Sequence, residues 1–195
     1  GTDAKLPMYQ ARLAVKFPGW VEDERIALGF STHYNREETN THFGTIEFDD
    51  QFPSRSYNID LVMPVWKDLI KDGDALTFKG ELWRGTNVND LFGGVGQGVN
   101  TVTGELIHAS GGWGELHYRY NDIWEIASGY GLDDPDNSEL LPLGRLKNRV
   151  WWVSNNFHFG GNYLFSIRYI DYLTGYHNDS DGHNTRLIFM VQWNF

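Results

Sequence analysis

The sequence predicts an all-β fold, an antiparallel transmembrane β-barrel of which about nine strands are visible, and three observations carry that prediction. Apolar residues recur with period two along almost the whole of the 195 residues. The connections between the alternating segments are by turns short and long. Aromatics reach 15% and glycines 22, yet only 41% of the chain is hydrophobic. A period of two sends successive side chains to opposite faces of a strand, whereas an amphipathic helix repeats at i, i+3 and i+4. In a membrane barrel only every second residue meets lipid, so mean hydropathy stays low while the outer band remains apolar.

The first strand, 8–17, sets Tyr9, Ala11, Leu13, Val15 and Phe17 against Gln10, Arg12 and Lys16. In 25–35, Ile26, Leu28, Phe30 and Tyr34 oppose Ala27, Gly29, Ser31 and His33. In 54–66, Tyr57, Ile59, Leu61, Met63 and Val65 oppose Ser56, Asn58 and Asp60. In 75–85, Leu76, Phe78 and Leu82 oppose Thr77, Lys79 and Glu81, and 104–120 ends with Leu116, Tyr118 and Tyr120 against Glu115, His117 and Arg119. Further strands fall at 123–131, 149–159, 163–174 and 184–195, the last carrying Leu187, Phe189, Val191, Trp193 and Phe195 on one face. The one helix-like piece is WKDLIKDGD at 66–74.

Short connections at 18–24, 67–74, 121–122 and 160–162 alternate with longer, polar ones at 36–53, 86–103, 132–148 and 175–183. Outer-membrane barrels show this asymmetry, with tight periplasmic turns and long outer loops. A terminal aromatic closing an alternating strand is similar to the C-terminal signature of such barrels. With Phe195 at the periplasmic rim, the first strand descends from outside, while a complete barrel begins in the periplasm and has an even strand count. The expectation is therefore that 1–195 is a single barrel segment, the C-terminal part of a larger barrel. Its N-terminal strands then lie in a further segment or on a second chain.

Several function classes are excluded. No run of 18 apolar residues exists, so no transmembrane helix is encoded. Zero cysteines remove disulfides, thiolate catalysis and cysteine zinc sites. A net charge of −10 without a clustered basic face speaks against nucleic acid as a partner. The chain opens Gly1-Thr2-Asp3 without an initiator Met or apolar leader, so any signal peptide is removed or lies upstream.

If the apolar faces meet lipid, the opposite faces line water. The candidate lumen set is Arg12, Lys16, Asp60, Lys79, Glu81, Glu115, His117, Arg119, Arg168 and Arg186. Basic lumen residues lower the barrier to anions; the plainer expectation is that these charges pair across neighbouring strands. The loop LFGGVGQGVN offers Gly93, Gly94, Gly96, Gln97 and Gly98 as a constriction whose backbone N–H groups form an anion nest. Its plainer alternative is a surface loop. His177, Asp179, Asp181 and His183, and Asp133, Asp134 and Asp136, are metal-capable types but fit a solvated tip better, so no metal and no cofactor is expected. No hydrolase or metalloprotease motif occurs, and Glu81 with Glu115 lacks a glycosidase context, so no enzyme is expected. Trp20, Trp66, Trp83, Trp124 and Trp193 fall near strand ends as an interfacial girdle requires, while Trp151 and Trp152 point to opposite faces.

LFGGVGQGVN (91–100), GGWGELHYRY (111–120), ASGYGLDDPD (127–136) and RLKNRVWWVSNNFHFGGNYLFSIRYIDYLTG (145–175) together resemble the DcaP-like trimeric porins of Gram-negative bacteria. In that family a GG-x-GQG loop precedes a GGW strand, a short turn and a YG-x-DDP loop. The resemblance runs over roughly 75–195 and holds only in pattern before that. It implies a homotrimeric diffusion channel of the bacterial outer membrane, set in lipid and lipopolysaccharide, passing ions and small solutes, organic anions such as dicarboxylates among them. The loop at 132–148 and the tip HNDSDGH have no match in that pattern, which leaves the solute class open. The alternative is a secreted carbohydrate-binding β-sandwich, in which the aromatic faces are buried against a second sheet.

Overall fold

The computed structural model describes residues 7–38, 51–91 and 93–193, and apart from three short 3-10 turns its regular structure is all β. The strands are β1 (Tyr9–Pro18), β2 (Arg25–Glu38), β3 (Gln51–Lys67), β4 (Ala75–Thr86), β5 (His108–Arg119), β6 (Trp124–Pro135), β7 (Arg145–Phe159), β8 (Tyr163–Tyr176) and β9 (Gly182–Trp193). Each pairs antiparallel with its neighbours in sequence, giving one sheet of order β1 to β9. Among the described residues the sheet is open, since β1 and β9 do not pair with each other. The second layer that a sandwich requires is not among the described residues. Phe195 and most of the connection 36–53 lie outside them.

The register joins the alternating patterns of all nine strands into two continuous faces. Leu13, Phe30, Ile59 and Leu82 form one cross-strand row of the apolar face, and Tyr169–Leu187, Ile167–Phe189 and Phe165–Val191 continue that face at the far edge. This face is bare: Leu13 is 71% exposed, Leu82 70% and Val191 75%. The opposite face buries polar groups instead, among them His33, Ser54, Ser56 and Ser154. A water-soluble sheet hides its apolar face and wets its polar one, so this distribution is inverted. A continuous exposed apolar face of this size requires a partner, and alternation on every strand fits hydrocarbon.

At the rim of short turns the boundaries match the sequence pattern, but 66–74 is no helix. It is a turn clasped by two aspartates. Asp74 accepts the amides of Leu69, Ile70 and Lys71 at 2.6, 2.9 and 3.1 Å, and Asp68 accepts that of Gly73 at 2.6 Å. Gly73, at φ 85°, takes the left-handed conformation the turn needs. Aspartates at these spacings satisfy amides that a helix would leave to its first turn, so the chain reverses instead.

At the rim of long loops the strands run further than the sequence pattern indicates. β3 begins at Gln51, β6 reaches Pro135 and β7 begins at Arg145, so the last outer connection contracts to 177–181. β5 corrects in the other direction, starting at His108 rather than 104. Residues 98–107 pair with themselves: Asn100 N donates to Glu105 O and Ile107 N to Gly98 O, both at 2.8 Å, beside a Val99–Leu106 bridge.

Candidate functional site: the polar face and its folded loop

Period two places all ten candidate charged residues on the polar face. The register sets Lys79 beside Glu115, Asp60 beside Glu81, Arg119 beside Glu125, Arg168 beside Ser154 and Ile188, and Arg186 beside Ile170. Proximity in register yields few ion pairs. Arg12 Nη2 meets Asp60 Oδ1 at 2.7 Å, reaching across β2 where Gly29 leaves the wall open. A Cβ on Gly29 would stand 2.1 Å from Asp60 Oδ2. His117 Nε2 lies 3.3 Å from Glu125, which also faces His158 at 3.4 Å and accepts from Asn156 at 3.1 Å. Lys16, Lys79, Arg119, Arg168 and Arg186 make no ion pair with a described residue. Arg168 donates to Ser154 Oγ at 3.0 Å, and Arg186 donates to Asn184 at 2.8 Å while standing over the Tyr172 ring.

Two carboxylates of the β3–β6 region, Glu81 and Glu115, are held by neutral donors. Glu81 accepts from Asn58 Nδ2 at 2.9 Å, and Glu115 from the Trp152 indole at 2.7 Å. Such bonds orient a carboxylate and leave its charge in place, because no cation neutralises it.

The glycine-rich loop folds onto this face. Asp90 receives Asn35 Nδ2 at 3.3 Å and Ser54 Oγ at 3.4 Å, so the start of the loop rests on the polar rows of β2 and β3. Val88, 2% exposed, packs over Gly85 and Gly93. Gly94, Val95 and Gly96 take left-handed φ of 63°, 52° and 73°, a run that turns successive amides to one side. That nest is occupied from within the chain: Gly94 N and Val95 N donate to Asp133 of β6 at 3.0 and 2.7 Å. Two of the nest's amides therefore hold a carboxylate of the chain and are not open to a solute. Gln97 clamps β7 in both directions, donating to Arg145 O at 2.7 Å and accepting from Arg145 N at 3.0 Å. Gly98 lies beneath the amides of Asn87 and Asn89, with no room for a Cβ.

Three tryptophans that composition placed at interfaces or left unassigned line the same face. The Asn58–Trp83 register turns Trp83 inward, which corrects its assignment to the girdle. Trp113 stands between Glu81 and Gly131, and Trp152 lies flat over Gly129. Trp20, Trp66 and Trp193 do sit exposed at the short-turn rim, Trp193 stacked on Tyr163 with centroids 6.2 Å apart. Trp151 points outward as parity requires and donates to Asp171 at 3.0 Å.

The acidic clusters all have local uses. Asp134 pairs with Lys147 at 3.0 Å, Asp136 caps Ser138, Asp179 accepts from Ser180 N, and His183 meets Asp171 at 2.6 Å. In the turn 68–74, burial opposes the charge on Asp74, but the Tyr118 hydroxyl and three backbone amides outweigh it and hold its pKa at about 2.

No family model matches the chain, and no curated protein matches it. Among solved structures it is similar to the crystal structure of the outer membrane channel DcaP of Acinetobacter baumannii, with a TM-score of 0.72 at 11% identity. The match covers 99% of this chain and 53% of that one, so the chain spans about half the length of the protein it matches. At that identity the likeness shows the fold alone, a wall of sequentially paired antiparallel strands.

Proposed function

We propose that this chain forms part of the wall of a porin-type channel in the outer membrane of a Gram-negative bacterium. Its apolar face meets lipid and lipopolysaccharide, and its polar face lines the water through which ions and small solutes diffuse. The observation that carries the proposal is the inverted sheet, with large apolar side chains exposed on one face and a hydrogen-bonded loop folded onto the polar other. The fold of the DcaP channel supports it. Among the described residues β1 and β9 do not pair with each other, and this open order supports a wall completed by further strands, from the same chain or a second one. In hydrocarbon every unpaired backbone group costs several kcal/mol.

Selection is by pore width and charge. Arg168, Arg186 and Arg119 favour organic anions, dicarboxylates among them, while Glu81 and Glu115 oppose them. A homotrimer rests on the family resemblance alone. The lumen does no bond chemistry and needs no cofactor; it acts by what it admits.

The test is extraction followed by single-channel recording in planar bilayers, with reversal potentials in a salt gradient. The expected result is detergent-dependent extraction and discrete conductance steps. A protein soluble without detergent and silent in bilayers overturns the proposal.

A further inference from the structure

Trp83 and Trp113 stand on adjacent strands of the polar face, where water would not by itself select indoles. A cavity of about 160 Å³ lies between them, closed by Asn58, Glu81, Leu91 and Gly93. That is below the roughly 300–1,000 Å³ of a drug-sized site and suits one small ring.

The walls are rigid. The Trp83 ring is fixed against two glycines: a Cβ on Gly111 would stand 2.5 Å from its Cζ2, and one on Gly93 would stand 3.0 Å from its Cη2. Trp113 is 39% exposed, and its neighbour in register on β6 is Gly131, which has no side chain to cover it. Leu91, from the folded loop, adds an apolar side.

The polar groups are acceptors. Asn58 spends its Nδ2 on Glu81 Oε1 at 2.9 Å, which leaves Asn58 Oδ1 buried without a hydrogen-bond partner among the described residues. A buried acceptor left alone is costly, so this site lacks a donor. Flat indole and leucine surface beside one unsatisfied acceptor and the Glu81 carboxylate matches a molecule with a C–H face and hydroxyl donors at its edge. An organic anion brings no donor and meets the Glu81 carboxylate.

We infer that the cavity between Trp83, Trp113, Asn58 and Glu81 is a subsite for one neutral pyranose ring, stacked on indole with a hydroxyl donating to Asn58 Oδ1. It rests on the polar face being the lumen, and it adds a docking point for sugars to a wall otherwise read through its charges.

Methyl α-glucoside is the probe, used with the full-length protein. Binding is followed in detergent by ligand-observed NMR, and current interruption is followed on the reconstituted channel. A saturable response is expected in both. Trp113→Ala and Asn58→Leu should each raise the half-saturating concentration about tenfold, the loss of one aromatic contact or one hydrogen bond. Trp151→Ala, on the outward face, should leave it unchanged. Asn58→Leu removes an unsatisfied acceptor and keeps the test valid if Trp113→Ala does not fold. The inference is overturned if acyclic sorbitol or choline matches the glucoside, or if binding survives both substitutions. Conduction without a sugar response overturns the subsite alone; sugar binding without conduction overturns the channel and leaves the subsite standing.

Discussion

The polar face has two unlike halves. From β3 to β6 it is covered by the folded loop and carries Trp83, Trp113, Glu81, Glu115 and Asp133. From β7 to β9 the loop reaches only the rim, through Gln97 on Arg145, and among the described residues the face carries Arg168 and Arg186 in the open. The same alternation built both, so strand pattern does not account for the difference. Glycines at 111, 129 and 131 do, since they give indoles room to lie flat, as does the connection 87–107, which folds back onto that half. Amide, indole and backbone N–H groups hold Glu81, Glu115 and Asp133 in the first half, and Ser154 and Asn184 hold Arg168 and Arg186 in the second. Opposite charges held this way are not neutralised, and in the proposed channel they would orient a dipolar solute.

Releasing the loop is expected to be the largest perturbation of this asymmetry. Asp133→Ala removes the acceptor of two charge-assisted bonds, about 2–4 kcal/mol of loop docking. Hydrogen exchange at Gly94 and Val95 should rise more than tenfold and the channel should conduct more; unchanged protection would show that the loop is held elsewhere. Next comes the wall itself. Gly129→Val puts a Cβ 2.2 Å from Trp152 Cζ2 and should destabilise the barrel by about 1–3 kcal/mol, whereas Gly175→Ala on β8, with no atom nearer than 3.6 Å, should stay within about 0.5 kcal/mol. Heat-modified gel mobility measures both, and equal shifts would erase the distinction between the halves.

Smaller effects sharpen the electrostatic contrast. Replacing Arg168 and Arg186 by Gln should shift the reversal potential toward cations, and replacing Glu81 and Glu115 by Gln toward anions. Shifts of the same sign would mean that one half does not face the conducted ions.

The smallest effect belongs to the turn 68–74. Its Asp74 carboxyl has a pKa of about 2 against 3.8 for the unperturbed side chain. A depressed carboxylate stabilises the folded state fully above the unfolded value and ceases to do so as pH falls through the folded one. Exchange of the Leu69, Ile70 and Lys71 amides should thus be flat above about pH 5 after correction for intrinsic rates. Extra opening should grow between about pH 4 and 2, and Asp74→Asn should show it at every pH.

Much of this was legible in the sequence because a sheet with one apolar and one polar face imposes period two with few exceptions. Leu13, Phe30, Ile59 and Leu82 declared their face before their register was known. Boundaries failed at the long-loop rim, where Gln51, Arg145 and Lys147 go on pairing after lipid has stopped demanding apolar partners. Trp83 was assigned to the girdle from its closeness to a strand end, although counting from Leu82 puts it on the opposite face. The partners Asp133 and Gly94, 39 residues apart, share no local pattern, and the run Gly93–Gly98 alone disclosed a turn without its anchor. Likewise Asn58 looked like one more polar position until its amide was seen to be committed on one side only.

The bond between Asp133 and the loop amides ties two kinds of correctness together. Sliding β6 by one residue would carry Asp133 to the outer surface and bring Leu132 or Asp134 inward, so the amides of Gly94 and Val95 would meet the wrong side chain. The loop thus docks only on a sheet aligned in its proper frame, so its closure reports whether β6 lies in register.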